Sequence, residues 1–101
     1  MINIVIEKKE GIKIKAEGHS LFEEKGKDIV CASVSVLLQM WLIGMKEIAK
    51  ANVDFVKNSG FLSATVDRLN EKGEVLFDNL VLSLGILEHQ YPERIRLILE
   101  E

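Results

Sequence analysis

The feature that most restricts the fold of this 101-residue chain is a long stretch without a charged side chain. It runs from Ile29 to Met45 between Asp28 and Lys46, and its length is close to the minimum for a helix that spans a bilayer. Several small or polar residues lie inside it: Ser33, Ser35, Gln39 and Gly44. We therefore interpret the stretch as a core helix that is buried on more than one side, not as a membrane span.

The segment around this stretch has clear start and stop signals. We predict that the helix begins near Asp28, whose carboxylate can accept a hydrogen bond from one of the first backbone N–H groups, and that it ends near Ala51. Before it, Met1–Glu7 and Ile12–Glu17 alternate apolar and polar residues. This period of two predicts an antiparallel hairpin that turns at Lys8-Lys9-Glu10-Gly11.

The second half of the chain repeats the order of elements. Val53–Asn58 and Phe61–Arg68 predict a second hairpin, rich in β-branched and aromatic residues and joined by a turn that contains Gly60. Apolar residues then recur at helical spacing from Glu74 to about His89, which predicts a second amphipathic helix.

The chain closes with a short alternating segment after Pro92, which ends the second helix. Residues Ile95–Leu99 favour a last strand, although a helical turn over Glu93–Leu99 remains an alternative. The resulting order is ββαββαβ, which predicts an α+β fold with an antiparallel or mixed sheet packed against two helices. The length fits one domain over residues 1–101.

Composition restricts the class of function. The net charge of −3 disfavours direct binding of nucleic acid, which needs a basic surface. The single cysteine excludes an internal disulfide and suits a reducing cytoplasm. Because the chain opens on a strand pattern and not on a signal sequence, we expect a cytoplasmic location.

The pair of residues that can carry chemistry is His19 and Cys31. His19 follows the second strand and Cys31 falls in the first turn of the predicted helix, so both should lie at the same edge of the sheet. A helix N-terminus lowers the pKa of a thiol and supplies N–H donors to an oxyanion. Cys31 can therefore act as a nucleophile with His19 as its base.

Simpler interpretations of these residues stay open at this point. A lone cysteine in an apolar helix is often a small buried hydrophobe. Asp28 can either orient His19 or, by its negative charge, raise the pKa of the thiol. The available side chains are too few for a metal site, and we expect neither a metal nor a cofactor.

The segment from Gly18 to Ser35 resembles the signature of a known family. It contains Gly18-His19-Ser20, a loop with Gly26, then Asp28-Ile29-Val30-Cys31-Ala32, and finally Ser35. This pattern, with a step of twelve residues from His19 to Cys31, is similar to that of the ribosomal-processing cysteine proteases, known as the Prp or YsxB-like family. Chain length and element order also fit that family.

The resemblance implies an activity and a set of site residues. It implies a homodimeric Cys–His protease that removes the N-terminal extension of the large-subunit ribosomal protein number twenty-seven. His19 and Cys31 would form the dyad, and Gly18, Asp28 and Ser35 would support it. The flap over the substrate would consist of Ser20, Leu21, Phe22, Glu23, Glu24, Lys25, Gly26 and Lys27.

Two other functions are compatible with the same residues. The first is a non-catalytic module that binds a ribosomal partner and in which Cys31 is buried and inert. The second is a redox sensor, although the chain has no second cysteine to resolve an oxidised Cys31. Phe22, Trp41 and Phe77 could line a specificity pocket, but we interpret aromatic residues at these positions as core.

Overall fold

The structure, a computed structural model, describes residues 1–18, 29–58 and 60–100. Its elements follow the predicted order ββαββαβ. They are β1 (Ile2–Lys8), β2 (Ile12–Gly18), α1 (Ile29–Glu47), β3 (Val53–Asn58), β4 (Phe61–Val66), α2 (Glu71–Gln90) and β5 (Ile95–Glu100). The α+β fold class is confirmed.

The five strands form one mixed sheet in the order β3-β4-β2-β1-β5. The pairs β3–β4, β4–β2 and β2–β1 are antiparallel, whereas β5 returns after α2 to pair in parallel with β1. The alternative of a helical turn at the C-terminus is therefore wrong. A strand is favoured there because Ile95 continues the buried inner face beside Ile2.

Both helices cover the same face of the sheet. Alternate residues of β1, β2 and β4 are buried against them, as the period of two predicts, and form one core with residues of α1 and α2. The α1 side chains in this core are Val30, Val34, Leu38, Trp41, Leu42 and Met45. By length and composition α1 would also pass as a membrane span, but in this fold it packs on the sheet.

Three predicted boundaries are wrong by a few residues. Helix α1 ends at Glu47 instead of Ala51, because Lys50 adopts a left-handed φ of 57° that turns the chain towards β3. Helix α2 begins at Glu71 instead of Glu74. Asn70 is its N-cap and accepts a hydrogen bond from the Gly73 N–H at 2.8 Å.

Strand β4 ends at Val66 instead of Arg68, because Val66 is the last residue paired with both β2 and β3. Beyond it, the Asp67 N–H donates to the Asn52 carbonyl at 3.4 Å, and the Asn52 side chain donates to Asp67 Oδ2 at 3.0 Å. That side-chain hydrogen bond is the main reason why the pKa of Asp67 lies below its ordinary value.

Candidate active site

A cleft of about 190 Å³ opens where β2 ends, α1 begins and the β3–β4 turn approaches. Strand β2 contributes Glu17 and Gly18 to its lining, and α1 contributes Cys31 and Ser35. The strand order explains this meeting point. Because β4 lies beside β2, the turn between β3 and β4 is brought to the end of β2, close to the start of α1.

Cys31 is the third residue of α1 and is half-buried at the cleft. The first N–H groups of a helix have no partner within the helix and carry its positive partial charge. Within the described part of α1, the first turn contains no acidic residue that would offset this field. The position therefore favours a negatively charged sulfur and offers hydrogen-bond donors to a second negative atom nearby.

Gly18 fixes the end of β2 next to this helix terminus. Its N–H donates to the Gly60 carbonyl at 2.9 Å, and it lies opposite Ile2 in the β1–β2 register. Its φ is +107°, and a Cβ atom at this position would lie 2.2 Å from the Met1 carbonyl oxygen. Only glycine fits this close approach without moving the neighbouring strand.

Ser35 lies one helical turn after Cys31, on the same face of α1. Gln39 Nε2 donates to Ser35 Oγ at 2.8 Å and to the Ser35 carbonyl at 3.2 Å. The rotamer of Ser35 is therefore held by a neighbour on the next turn. Ser33 differs, because its hydroxyl donates to the Ile29 carbonyl at 2.7 Å along the helix.

The structure brings together three of the residues predicted for the site: Gly18, Cys31 and Ser35. His19, Asp28 and the predicted flap residues 20–27 lie outside the described residues. Trp41 and Phe77 belong to the core, being 3% and 6% exposed, as the sequence pattern indicates.

Sequence reasoning missed the contribution of the β3–β4 turn. Lys57, Asn58, Gly60 and Phe61 all line the cleft. They lie close together along the chain at a predicted turn, but nothing in their own sequence indicates that this turn reaches Cys31. The signal would have been the neighbour relation between β2 and β4, which alternation alone does not specify.

Comparison with known proteins identifies the family. The family model described as cysteine protease Prp matches residues 1–96. The chain is 32% identical over 85 residues to the ribosomal processing cysteine protease Prp of Staphylococcus aureus, covering 80% of this chain and 79% of that protein. It is 30% identical over 82 residues to the protein of the same name from Mycoplasma genitalium, covering 79% and 80% of the two chains.

The fold agrees with this assignment. A crystal structure of the S. aureus protease Prp with a covalently linked product peptide superimposes with a TM-score of 0.88 at 25% identity, covering 99% of this chain and 100% of the other. The sequence match, the structural match and the resemblance of the segment around Cys31 thus agree. This chain belongs to the Prp family of cysteine proteases and is a cysteine protease.

Proposed function

We propose that this protein is an endopeptidase that removes the N-terminal extension of the large-subunit ribosomal protein number twenty-seven. Cys31 is the nucleophile and His19 its general base. The observation that carries the proposal is the position of Cys31, in the first turn of α1 and on the same cleft as Gly18, the residue covalently bonded to His19. The names of the S. aureus and M. genitalium relatives, ribosomal processing cysteine proteases, support the ribosomal substrate.

The proposed reaction proceeds in two stages. His19 takes the proton from Cys31 Sγ, and the thiolate attacks the scissile carbonyl while first-turn N–H groups of α1 stabilise the negative oxygen. The protonated His19 then gives its proton to the leaving amine, which departs as the new N-terminus of the ribosomal protein. Water, deprotonated by His19, hydrolyses the thioester and releases the extension. The dyad needs no metal or cofactor.

The supporting residues act through the dyad and the substrate. Since Ser35 Oγ accepts a hydrogen bond from Gln39, its own hydroxyl hydrogen can be donated to a substrate group in the cleft. Gly18 fixes the end of β2, and His19 is the next residue along the chain. We assign Asp28 to the cap of α1 or to the orientation of His19, and residues 20–27 to a flap over the bound peptide.

The proposal also covers the oligomeric state and the cellular location of the enzyme. We assign it to the reducing cytoplasm, where one thiol stays available for catalysis. We also assign it a homodimeric state, because the outward face of α1 leaves Val36, Met40 and Ile43 more than half exposed. Its net charge of −3 argues against direct contact with nucleic acid.

Cleavage of a synthetic peptide that spans the junction between extension and mature ribosomal protein tests the proposal. Wild-type protein should cut it at one bond, and Cys31→Ala or His19→Ala should each lower kcat by at least about 10³-fold, because the two residues act as a unit. Ser33→Ala is the matched control on the same helix turn. Its hydroxyl donates to the helix backbone, so the rate should stay at the wild-type value.

Unchanged cleavage in both dyad variants would remove the assigned roles of Cys31 and His19. Binding of the peptide by wild-type protein without any cleavage would instead favour the non-catalytic module. In that case Cys31 should react with iodoacetamide only after unfolding, as a buried inert thiol does.

A further inference from the structure

A second cavity continues the cleft along the length of α1. It has a volume of about 500 Å³ and lies between the C-terminal half of α1 and the edge strand β3. Lys57 and Leu62 line both the cleft and this cavity, so the two form one continuous surface. We call the second cavity the α1–β3 groove. Its volume lies within the range of about 300–1,000 Å³ that is usual for ligand sites.

Phe55 gives the groove an apolar floor that the fold itself does not cover. In the β3–β4 register Phe55 lies opposite Ala64. Ala64 is 1% exposed on the face of the sheet that the helices cover, yet Phe55 on the same face is 57% exposed. Leu42 and Leu62 line the same groove and are buried. An aromatic ring in this setting offers a large area to an apolar side chain from a ligand.

The rim of the groove is polar, and its open side is a strand edge. Gln39, Lys46, Glu47 and Lys57 line it with groups that can hydrogen-bond a peptide backbone. In the described sheet, β4 is the one neighbour of β3, so the other edge of β3 presents backbone groups to a further extended chain. An extended peptide therefore fits this surface better than a compact ligand does.

The distance from Cys31 determines which substrate residue reaches the groove. Gln39 and Leu42 follow Cys31 by eight and eleven residues along α1, which corresponds to about 12–17 Å at 1.5 Å per residue. An extended peptide advances about 3.3 Å per residue. A side chain in the groove is therefore about four or five residues away from the bond that is cut.

We propose that the α1–β3 groove is a specificity subsite that binds an apolar side chain of the substrate peptide about four or five residues from the scissile bond. This inference rests on the proposed function. Phe55 is the principal contact, and the hydrogen bond from Gln39 to Ser35 links the wall of the groove to the cleft. The enzyme consequently requires an extended substrate segment, and shorter peptides that still contain the scissile bond are poor substrates.

The test combines shortened peptides with two matched enzyme variants. Phe55→Ala removes the floor of the groove. Val56→Ala is the matched control, because Val56 is the next residue and is also 57% exposed, but it lies on the opposite face of β3. The junction peptide is shortened one residue at a time from each end. For wild type and Val56→Ala, kcat/KM should fall by about tenfold, mainly through a higher KM, once shortening of the peptide removes the residue that fills the groove.

For Phe55→Ala, kcat/KM for the full-length peptide should already be about tenfold lower, and shortening the peptide should have little further effect. Equal values for Phe55→Ala and Val56→Ala at every peptide length would overturn the subsite. So would a wild-type rate that does not depend on peptide length.

Binding to the inactive Cys31→Ala variant separates this inference from the proposed function. Fluorescence anisotropy with the labelled full-length peptide should show about tenfold weaker affinity when Phe55→Ala is added, and no change when Val56→Ala is added. That result would support the subsite even if no peptide were cleaved. Equal affinities would overturn it. A change in particle mass on Phe55→Ala, without a change in peptide affinity, would assign the groove to a second copy of the chain and overturn it as well.

Discussion

Gly18 is the described residue on which the geometry of the cleft depends most directly. It connects β2 to β1 and, through its N–H, to the β3–β4 turn at Gly60. It is also the last described residue before His19. A side chain here would strain the backbone and push against the Met1 carbonyl at the same time. Such a change would disturb the end of β2 directly before the proposed base in the sequence.

We predict that Gly18→Ala lowers the free energy of unfolding by at least about 2 kcal/mol, from the left-handed φ together with the contact to Met1. Gly85→Ala is the matched control inside α2. Among the described residues, nothing beyond the helix's own backbone comes within 4 Å of the place that a Cβ atom would take at Gly85. Alanine there should therefore stabilise by about 0.5–1 kcal/mol. Urea unfolding of both variants measures the difference. An unchanged free energy of unfolding for Gly18→Ala would contradict the prediction.

The helices and strands are linked at a few polar points between the elements. Asn70 is the clearest of these, because one side chain serves both helices. Its Oδ1 accepts from the Gly73 N–H and caps α2, while its Nδ2 donates to the Ala49 carbonyl at 2.7 Å, just after α1. At the other end of α2, Glu88 accepts a hydrogen bond at 2.7 Å from the Leu97 N–H in β5, which satisfies a donor on an edge strand.

We predict that Asn70→Ala costs about 2 kcal/mol of unfolding free energy, about half from the lost cap and half from the lost bond to Ala49. Asn70→Ser retains an oxygen that can cap α2 but lacks the Nδ2 donor, so its cost should be about 1 kcal/mol. Denaturant unfolding of the two variants gives the comparison. Equal losses of unfolding free energy in Asn70→Ala and Asn70→Ser would mean that the cap of α2 contributes nothing to stability.

For the whole molecule, the apolar surface on the outer side of the helices requires an explanation. Met40 is 54% exposed on α1, and Leu82 and Ile86 are 69% and 61% exposed on α2. A groove between the two helices includes Met40 and Trp41 in its lining. A second copy of the chain would remove this surface from water, which is the basis of the proposed homodimer.

We predict that light scattering at micromolar concentration gives twice the chain mass of 11.4 kDa. Met40→Glu should shift the mass to that of the monomer, because it places a charge in the proposed interface. Ile98→Glu is the control. Ile98 lies beside Val5 on the sheet face that the helices do not cover, so this variant should remain dimeric. A monomeric wild type would contradict the dimer.

The sequence is sufficient to predict the elements and their order, because each type of element has its own apolar period. Alternation in Met1–Glu7 and Ile12–Glu17, for example, predicts two strands and shows which face of each is buried. It also predicts that the end of β2 and the first turn of α1, which contains Cys31, lie at the same edge of the sheet, whereas Gly18 and Ser35 entered the predicted site through the resemblance to the Prp family. The parallel pairing of β5 with β1 was not specified, because the period of two does not identify a strand's neighbour.

The same ambiguity left the surroundings of the cleft unpredicted. Phe55 and Phe61 look like ordinary strand residues in the sequence, and their places beside the groove and the cleft follow from strand order alone. The start of α2 was missed because Gly73 disfavours a helix by propensity, whereas the Asn70 cap stabilises the first turn around it.

The most direct test of the central claim is the pH dependence of the alkylation of Cys31 by iodoacetamide in the folded protein. We predict a midpoint clearly below the ordinary thiol pKa of about 8.5, because in the proposed dyad the start of α1 and the imidazole of His19 would both stabilise the thiolate. His19→Ala should move the midpoint towards that ordinary value. A midpoint at the ordinary thiol value that His19→Ala leaves unchanged, or reaction only in denaturant, would contradict the assignment of Cys31 as an activated nucleophile.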